Sequence, residues 1–186
     1  MRKAPLARLA TVSLLATAAL AGYVLPAHAA TTANTTTTFT LSAGALAITA
    51  PASKDLGTAA TGTATLTSQL GAVSVADGRG ALLASWTSSV ASTDFSTGAA
   101  TANEKVLKAS VDYWSGVATS TTGTGVFTPG QATGQLAVAM SASQTAYSAA
   151  SVVGNNTATW NPTVIVNIPS AAVAGVYTGT ITHSIA

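Results

Sequence analysis

The chain has 186 residues and a formal net charge of +2, and only 6% of its residues are charged while 48% are hydrophobic. Acid–base catalysis, nucleophile activation and most metal sites need ionisable side chains brought close together. This composition therefore argues against an enzyme, a metal site or a bound cofactor. Cysteine is absent, so no disulfide bond stabilises the fold, which depends on burial alone.

The first 29 residues have the layout of a secretory signal peptide. Arg2, Lys3 and Arg8 form a positive start. An apolar run over residues 9–25 follows, and small residues then lead to Ala29. These are the three parts of such a signal. We expect cleavage after Ala29, a secreted mature chain and no membrane span after cleavage.

Loss of this leader changes the charge balance. The seven Lys and Arg residues fall to four, against five Asp and Glu, which gives a formal net charge of −1. Nucleic-acid binding depends on basic side chains that neutralise phosphates, so nucleic acid is not an expected partner. The remaining chain is long enough for one hydrophobic core, because a domain of about 150 residues buries roughly 68–70% of its unfolded surface.

Residues 30–38 are mostly threonine and show no apolar periodicity. Such a composition buries too little apolar surface to pack, so it predicts a flexible lead-in to the domain. The same threonines are potential acceptors for O-linked sugars, which is an alternative role for this segment.

From Phe39 onward, short runs of Thr, Val and aromatic residues alternate with a period of two and are separated by Gly, Pro, Asn or Asp. This pattern is typical of antiparallel β-proteins. It predicts strands at residues 39–49, 63–70, 72–76, 82–90, 106–117, 134–141, 158–168 and 176–185. One helical turn is compatible with residues 99–105. We therefore predict a single all-β domain over residues 39–186, an antiparallel β-sandwich of Ig-like or Greek-key type.

Turns are predicted where Gly, Pro, Asn and Asp cluster. They fall at residues 77–80, 123–125, 129–130, 154–156 and 174–175. The first of these carries the densest charge, Asp77 and Arg79, which are placed to pair at the tip of a hairpin. A calcium loop would need more carboxylates than Asp77 alone, so we interpret this turn as one that sets strand register.

The alternation of strand residues sorts the tryptophans by face. Trp86 and Trp160 share their faces with Leu, Val or Ile residues, so we predict that both lie in the core. Trp114 shares its face with Lys108 and Asp112, which predicts an outward ring. An outward Trp can stack on a sugar or anchor a protein contact, or it can lie partly covered by a loop.

His183 falls on the apolar face of the last predicted strand, with Ile181 and Ile185. We interpret it as a neutral, hydrogen-bonded packing residue. The mature chain has no second His or Cys to complete a zinc site. No serine lies in a Gly-x-Ser-x-Gly context, so the sequence predicts no hydrolase triad and no catalytic residue.

Several segments, taken in order, resemble the WxL-domain proteins of Gram-positive bacteria. They are Val73-Ser-Val-Ala-Asp77-Gly-Arg79-Gly80, Ser85-Trp86-Thr87, Asp94-Phe95, Ala158-Thr-Trp160-Asn161-Pro162, Ile168-Pro169 and Gly175-Val-Tyr177-Thr-Gly-Thr-Ile-Thr182. The family's two Trp-x-Leu motifs correspond to Trp86-Thr87-Ser88 and His183-Ser184-Ile185, and each departs from the motif.

This resemblance implies a secreted, β-rich surface domain held non-covalently on the cell wall through peptidoglycan, in some cases together with other surface proteins. From the resemblance and the strand faces, the candidate ligand-binding residues are Trp114, Trp86, Asp77, Arg79, His183 and Ile185.

Our expectation is a secreted, non-catalytic cell-surface protein associated with the cell wall, with peptidoglycan or another wall polysaccharide as its partner. Two alternatives stay open. One is a structural, coat-like subunit that assembles with copies of itself, because the last strand could pair with a neighbour's exposed edge. The other is a carbohydrate-binding module that uses Trp114.

Overall fold

The computed structural model describes residues 32–186, and the predicted signal peptide lies outside them. Within these residues the chain forms twelve β-strands and three single-turn 3-10 segments. The strands are β1 (Leu46–Thr49), β2 (Thr65–Gln69), β3 (Val73–Asp77), β4 (Leu82–Ser92), β5 (Phe95–Ser96), β6 (Lys105–Val106), β7 (Val111–Trp114), β8 (Ala118–Pro129), β9 (Val138–Ala139), β10 (Gln144–Trp160), β11 (Thr163–Asn167) and β12 (Ile181–Ile185). All strand pairs are antiparallel. The all-β class is therefore confirmed.

Residues 41–186 form one compact unit, and residues 32–40 fall in a second group. In the second group, residues 32–40 hold no strand or helix, and Phe39 is 87% exposed. The first predicted strand was expected to begin at Phe39, but β1 begins only at Leu46.

The long strand β10 is the centre of the larger sheet. One edge of β10 pairs with β8, while its other edge pairs first with β4 and then with β3. β1 lies outside β3, and β12 lies outside β4. β3 and β4 therefore follow one another along the same edge of β10. They do not form the hairpin predicted at residues 77–80, so that prediction is wrong.

The larger sheet folds over on itself halfway along β10. Tyr147 and Trp160 are thirteen positions apart on this strand, a separation of about 43 Å in a straight strand. Their rings nevertheless stack with centroids 4.9 Å apart. The backbone N–H of Ala118, at the Trp160 end, also donates to the Tyr147 hydroxyl at 3.0 Å. The two halves of β10 therefore face each other as two layers of a sandwich.

The bend has a clear backbone signature. Five residues near the bend have positive φ: Gly80 before β4, Leu83 on β4, Ser151 and Gly154 on β10, and Gly123 on β8. The β10 ladders shift register in the same region. Bulges and positive-φ residues change the direction of a strand without ending it. We predicted turns at residues 123–125 and 154–156, but these residues lie inside β8 and β10, so the glycines mark bends within long strands.

A smaller sheet, ordered β2-β11-β7-β9, packs against the folded sheet. The core lies between these layers, and Trp86 and Trp160 are buried in it, as the strand alternation predicted. Other fully buried side chains include Val73, Val75, Val90, Val111, Tyr113, Met140, Tyr147, Val152 and Val164. The β-sandwich is thus confirmed as antiparallel sheets that pack together, while its Ig-like or Greek-key type stays a prediction.

Four predicted strands besides the first are interrupted or shortened, and of residues 176–185 only Ile181–Ile185 form a strand, β12. Residues 106–117 contain the last residue of β6, a 3-10 turn and β7, and residues 134–141 contain a 3-10 turn and the short β9. The stretch 158–168 divides at Asn161 and Pro162, because proline cannot donate to a ladder. A 3-10 turn at Ala102–Glu104 confirms the helical turn expected in this region.

A buried polar network on the inner side of the bend connects the two halves of the larger sheet. The indole N–H of Trp86 donates to Asn156 Oδ1 at 3.0 Å, and Asn156 Nδ2 donates to Asp77 Oδ2 at 3.1 Å. Arg79 donates to the same carboxylate through Nε at 2.8 Å and Nη2 at 2.9 Å. Hydrogen bonds from the Arg79 side chain hold the pKa of Asp77 at about 2, below its ordinary value of 3.8. The carboxylate therefore stays ionised and paired at neutral pH.

Replacing Asn156 with Ala should destabilise the protein strongly, because it leaves the Trp86 N–H unpaired and takes a donor from the Asp77 carboxylate. Buried unsatisfied groups of this kind cost about 2–4 kcal/mol in total. Urea unfolding followed by tryptophan fluorescence would measure the loss. Asn155→Ala is the matched control, since Asn155 is exposed, and it should cost less than about 1 kcal/mol. Equal losses in the two variants would show that the network does not stabilise the bend.

Candidate functional site

An open groove lies at the end of the sandwich opposite the bend. It consists of two adjoining cavities of about 370 and 870 Å³. One wall is the connection from β1 to β2, residues 50–62, and the other is the segment 172–183 that leads into β12. Core side chains form the floor, among them Leu70, Val73 and Val106. The groove is thus built from loops at one end of both layers.

Phe95 and Tyr177 supply the aromatic surface of the groove, and both rings are half-buried. Gly179 lies directly on the Phe95 ring, where an added Cβ would come within 2.7 Å of Phe95 Cγ. The Tyr177 hydroxyl is 3.0 Å from the Val173 carbonyl and 3.2 Å from the Asn103 carbonyl and can donate to either. These contacts fix the aromatic rings before any ligand is present.

The groove is nearly neutral. Of the described residues that line its two cavities, only Lys54 and Asp55 carry a formal charge, and Asp55 Oδ1 accepts a hydrogen bond from the Gly57 N–H at 2.8 Å. Small residues and backbone groups form most of the remaining wall. Such a surface suits an uncharged, extended ligand better than a highly charged one.

His183 lies on the floor of the smaller cavity and is the innermost titratable group of the groove. Its Nε2 atom is 3.2 Å from the Tyr113 hydroxyl, which accepts a hydrogen bond from Trp160 Nε1 at 3.2 Å. Burial lowers the pKa of His183 from 6.5 to about 4 and raises the pKa of Tyr113. At neutral pH the imidazole is therefore uncharged, and Tyr113 is able to donate to it. The predicted role as a neutral, hydrogen-bonded packing residue is confirmed.

Within the described residues, the side-chain hydrogen-bond partner of His183 is the Tyr113 hydroxyl. In residues 32–186, no serine or carboxylate is hydrogen-bonded to His183. The same part of the chain holds no group of three His, Cys, Asp or Glu residues arranged to bind a metal ion.

The residues predicted from the sequence occupy three separate places. Asp77, Arg79 and Trp86 meet in the network at the bend, but Trp86 is only 2% exposed and its ring offers no surface to a ligand. Its assignment as a ligand-binding residue therefore does not fit the structure. His183 and Ile185 lie on the inner face of β12, and both are half-buried.

Trp114 lies elsewhere, on β7 of the smaller sheet, and is half-buried. An added Cβ on Gly116 would come within 3.4 Å of its ring and one on Gly134 within 3.7 Å. The ring is therefore partly covered by the loop that contains Gly134, while part of it faces outward as predicted.

No sequence pattern indicated the groove as a site. Phe95 and the segment 50–62 lie outside every predicted strand and turn. The walls come from loops more than 100 residues apart in the chain, and their approach depends on tertiary packing that no local pattern reports.

Comparison with family models, curated proteins and solved structures finds no match for this chain. Among the helical segments of residues 32–186, none is long and apolar enough to span a membrane.

His183 should make the protein less stable as the solution becomes acidic. Its pKa in the folded state, about 4, lies below its ordinary value of 6.5, so the unfolded chain binds the proton more tightly. The free energy of unfolding should therefore fall as the pH drops from about 6.5 to about 4, by on the order of 3 kcal/mol from this group.

His183→Gln keeps a hydrogen-bond acceptor for Tyr113 but does not titrate. Urea unfolding of both proteins across this pH range should show a flatter profile for the variant. Parallel profiles would mean that His183 titrates with the same pKa in the folded and unfolded chains.

Proposed function

We propose that this chain is a secreted, non-catalytic cell-surface protein that binds cell-wall polysaccharide, with peptidoglycan as the first ligand to test. The observation that carries the proposal is the open, nearly neutral groove with the partly exposed rings of Phe95 and Tyr177. The layout of the first 29 residues supports export, and the resemblance to WxL-domain proteins supports a place on the wall.

The geometry of the groove suits a glycan chain in two respects. Its larger cavity, about 870 Å³, lies within the usual range for ligand sites. Aromatic rings stack on the apolar faces of sugars, while backbone groups along the walls can bond their hydroxyls. Because the groove holds few charges, affinity would come from these contacts and would depend little on salt.

A lack of catalytic activity is part of the proposal. His183, the half-buried base of the groove, is hydrogen-bonded to Tyr113, and no serine or threonine hydroxyl of residues 32–186 is hydrogen-bonded to it. The side chains and backbone amides that line the groove can hold a bound polymer through contact and hydrogen bonds.

Tyr177→Leu should weaken wall binding. The change removes the ring and its hydroxyl from the groove but keeps apolar volume. Anchoring aromatic residues often contribute more than 1 kcal/mol to binding, so the affinity should fall by about fivefold or more. Purified protein would be incubated with isolated cell walls, and the bound fraction measured over a range of wall concentrations.

Trp114→Leu is the matched control, because Trp114 is also a half-buried aromatic but lies outside the groove. Circular dichroism would confirm that both variants are folded. Loss of binding in Trp114→Leu alone would move the site to Trp114, as in a carbohydrate-binding module. If the unmodified protein stays in the supernatant at all wall concentrations, the proposed wall binding is wrong.

A further inference from the structure

The outer edge of β8 is the longest strand edge without a partner in the described part of the molecule. β8 spans Ala118–Pro129, twelve residues, and pairs with β10 on one side only. Backbone N–H and C=O groups of roughly every second residue point toward such an edge. They form a ready template for another strand.

Proteins usually protect such edges with charges, prolines or covering segments. β8 holds no charged residue, and its one proline, Pro129, is its last residue. Gly123, with φ of 84°, bends the strand and divides it into two straight stretches. The second stretch, residues 124–128, is Thr-Gly-Val-Phe-Thr and is free of both charge and proline.

Other edges of the larger sheet are protected. On β4, the Ser85 carbonyl accepts a hydrogen bond from Arg79 Nη2 at 2.9 Å, which occupies the edge beyond the end of β12. Cα atoms of β12 and β1 come within 8 Å of each other, so each strand partly covers the other. The last strand, which the sequence suggested as the edge for self-assembly, is therefore less accessible than β8.

An exposed apolar surface adjoins the second stretch of β8. Val126 on β8 is 62% exposed, Val153 on β10 is 42% exposed and Leu82 on β4 is 77% exposed. Leu82 and Val153 are cross-strand partners, and Val126 pairs with Ala150 on the same strand as Val153. Exposed apolar residues that adjoin in this way mark interaction surfaces more often than single ones do.

We propose that a second copy of this chain pairs with β8, edge to edge and antiparallel, about a two-fold axis at Val126. The residues 124–128 of the two copies then form a continuous ladder in which Val126 lies opposite Val126 of the other copy. This partner is favoured because a two-fold interface brings each residue close to its own equivalent. A segment without charges meets its copy without repulsion, whereas a charged segment would oppose itself.

The interface is small. Five paired residues and the adjoining apolar side chains bury less than the roughly 800 Å² per partner of a stable complex. We therefore expect a weak dimer whose population rises with protein concentration.

Charged residues at position 126 test the pairing directly. Val126→Lys and Val126→Glu each place like charges opposite each other and should raise the dimer dissociation constant by about tenfold or more. An equimolar mixture of the two variants places Lys opposite Glu and should restore the dimer. Sedimentation velocity over two decades of concentration would measure each state, and circular dichroism would confirm folding.

Leu136→Lys is the matched control, because Leu136 is 57% exposed but lies in a 3-10 turn away from β8. It should dimerise like the unmodified protein. An unmodified protein that stays monomeric at all concentrations overturns the proposal, and so does a dimer that Val126→Lys does not weaken. Failure of the Lys and Glu mixture to recover the dimer overturns the two-fold geometry. Should either variant unfold, the double variants Thr124→Lys/Thr128→Lys and Thr124→Glu/Thr128→Glu place like charges opposite each other at positions 124 and 128 and provide the same test.

Discussion

The rest of this structure depends on the bend in β10. A strand of seventeen residues is far longer than one layer of a small domain can use. By folding back, the strand supplies both layers of the sandwich and brings Tyr147 against Trp160. The cost is local: Leu83 and Ser151 adopt positive φ, which for residues other than glycine costs about 1–2 kcal/mol each. Burial of the large aromatic residues and the network around Asn156 offset this strain.

The bend also determines where the groove forms. At the bend, the continuous strands β8 and β10 close the sandwich, and polar groups inside it bond one another. At the opposite end, the strands simply stop, so loops must cover the core. The segments 50–62 and 172–183 cover it only partly and leave the groove between them. The open end is therefore a consequence of closing the other end with bent strands.

Local geometry explains which features the sequence could predict. The faces of Trp86, Trp160 and His183 follow from the two-residue period of a strand, which needs no knowledge of partners. The bends at Gly123 and Gly154 could not be predicted, because glycine and asparagine are used both where a strand ends and where it bends. β8 was missed for the same reason, since its Thr-Gly repeats are typical of loops as well. The groove depends on loops that meet only after folding, so no local pattern could predict it.

The groove and the edge of β8 have consequences for each other. β8 runs along one side of the folded sheet, whereas the groove opens at the end away from the bend, so pairing along β8 would leave both grooves of a dimer free. A dimer that is weak in solution would then hold two sites for one polymer. Because binding of the first site raises the effective concentration of the second, two modest affinities can give retention 10²–10⁴ times stronger than either alone. A protein with so few charges gains little from electrostatic attraction to its ligand. Under the proposed wall binding, repeated weak contact along a long polymer would therefore suit this chain better than a single tight site.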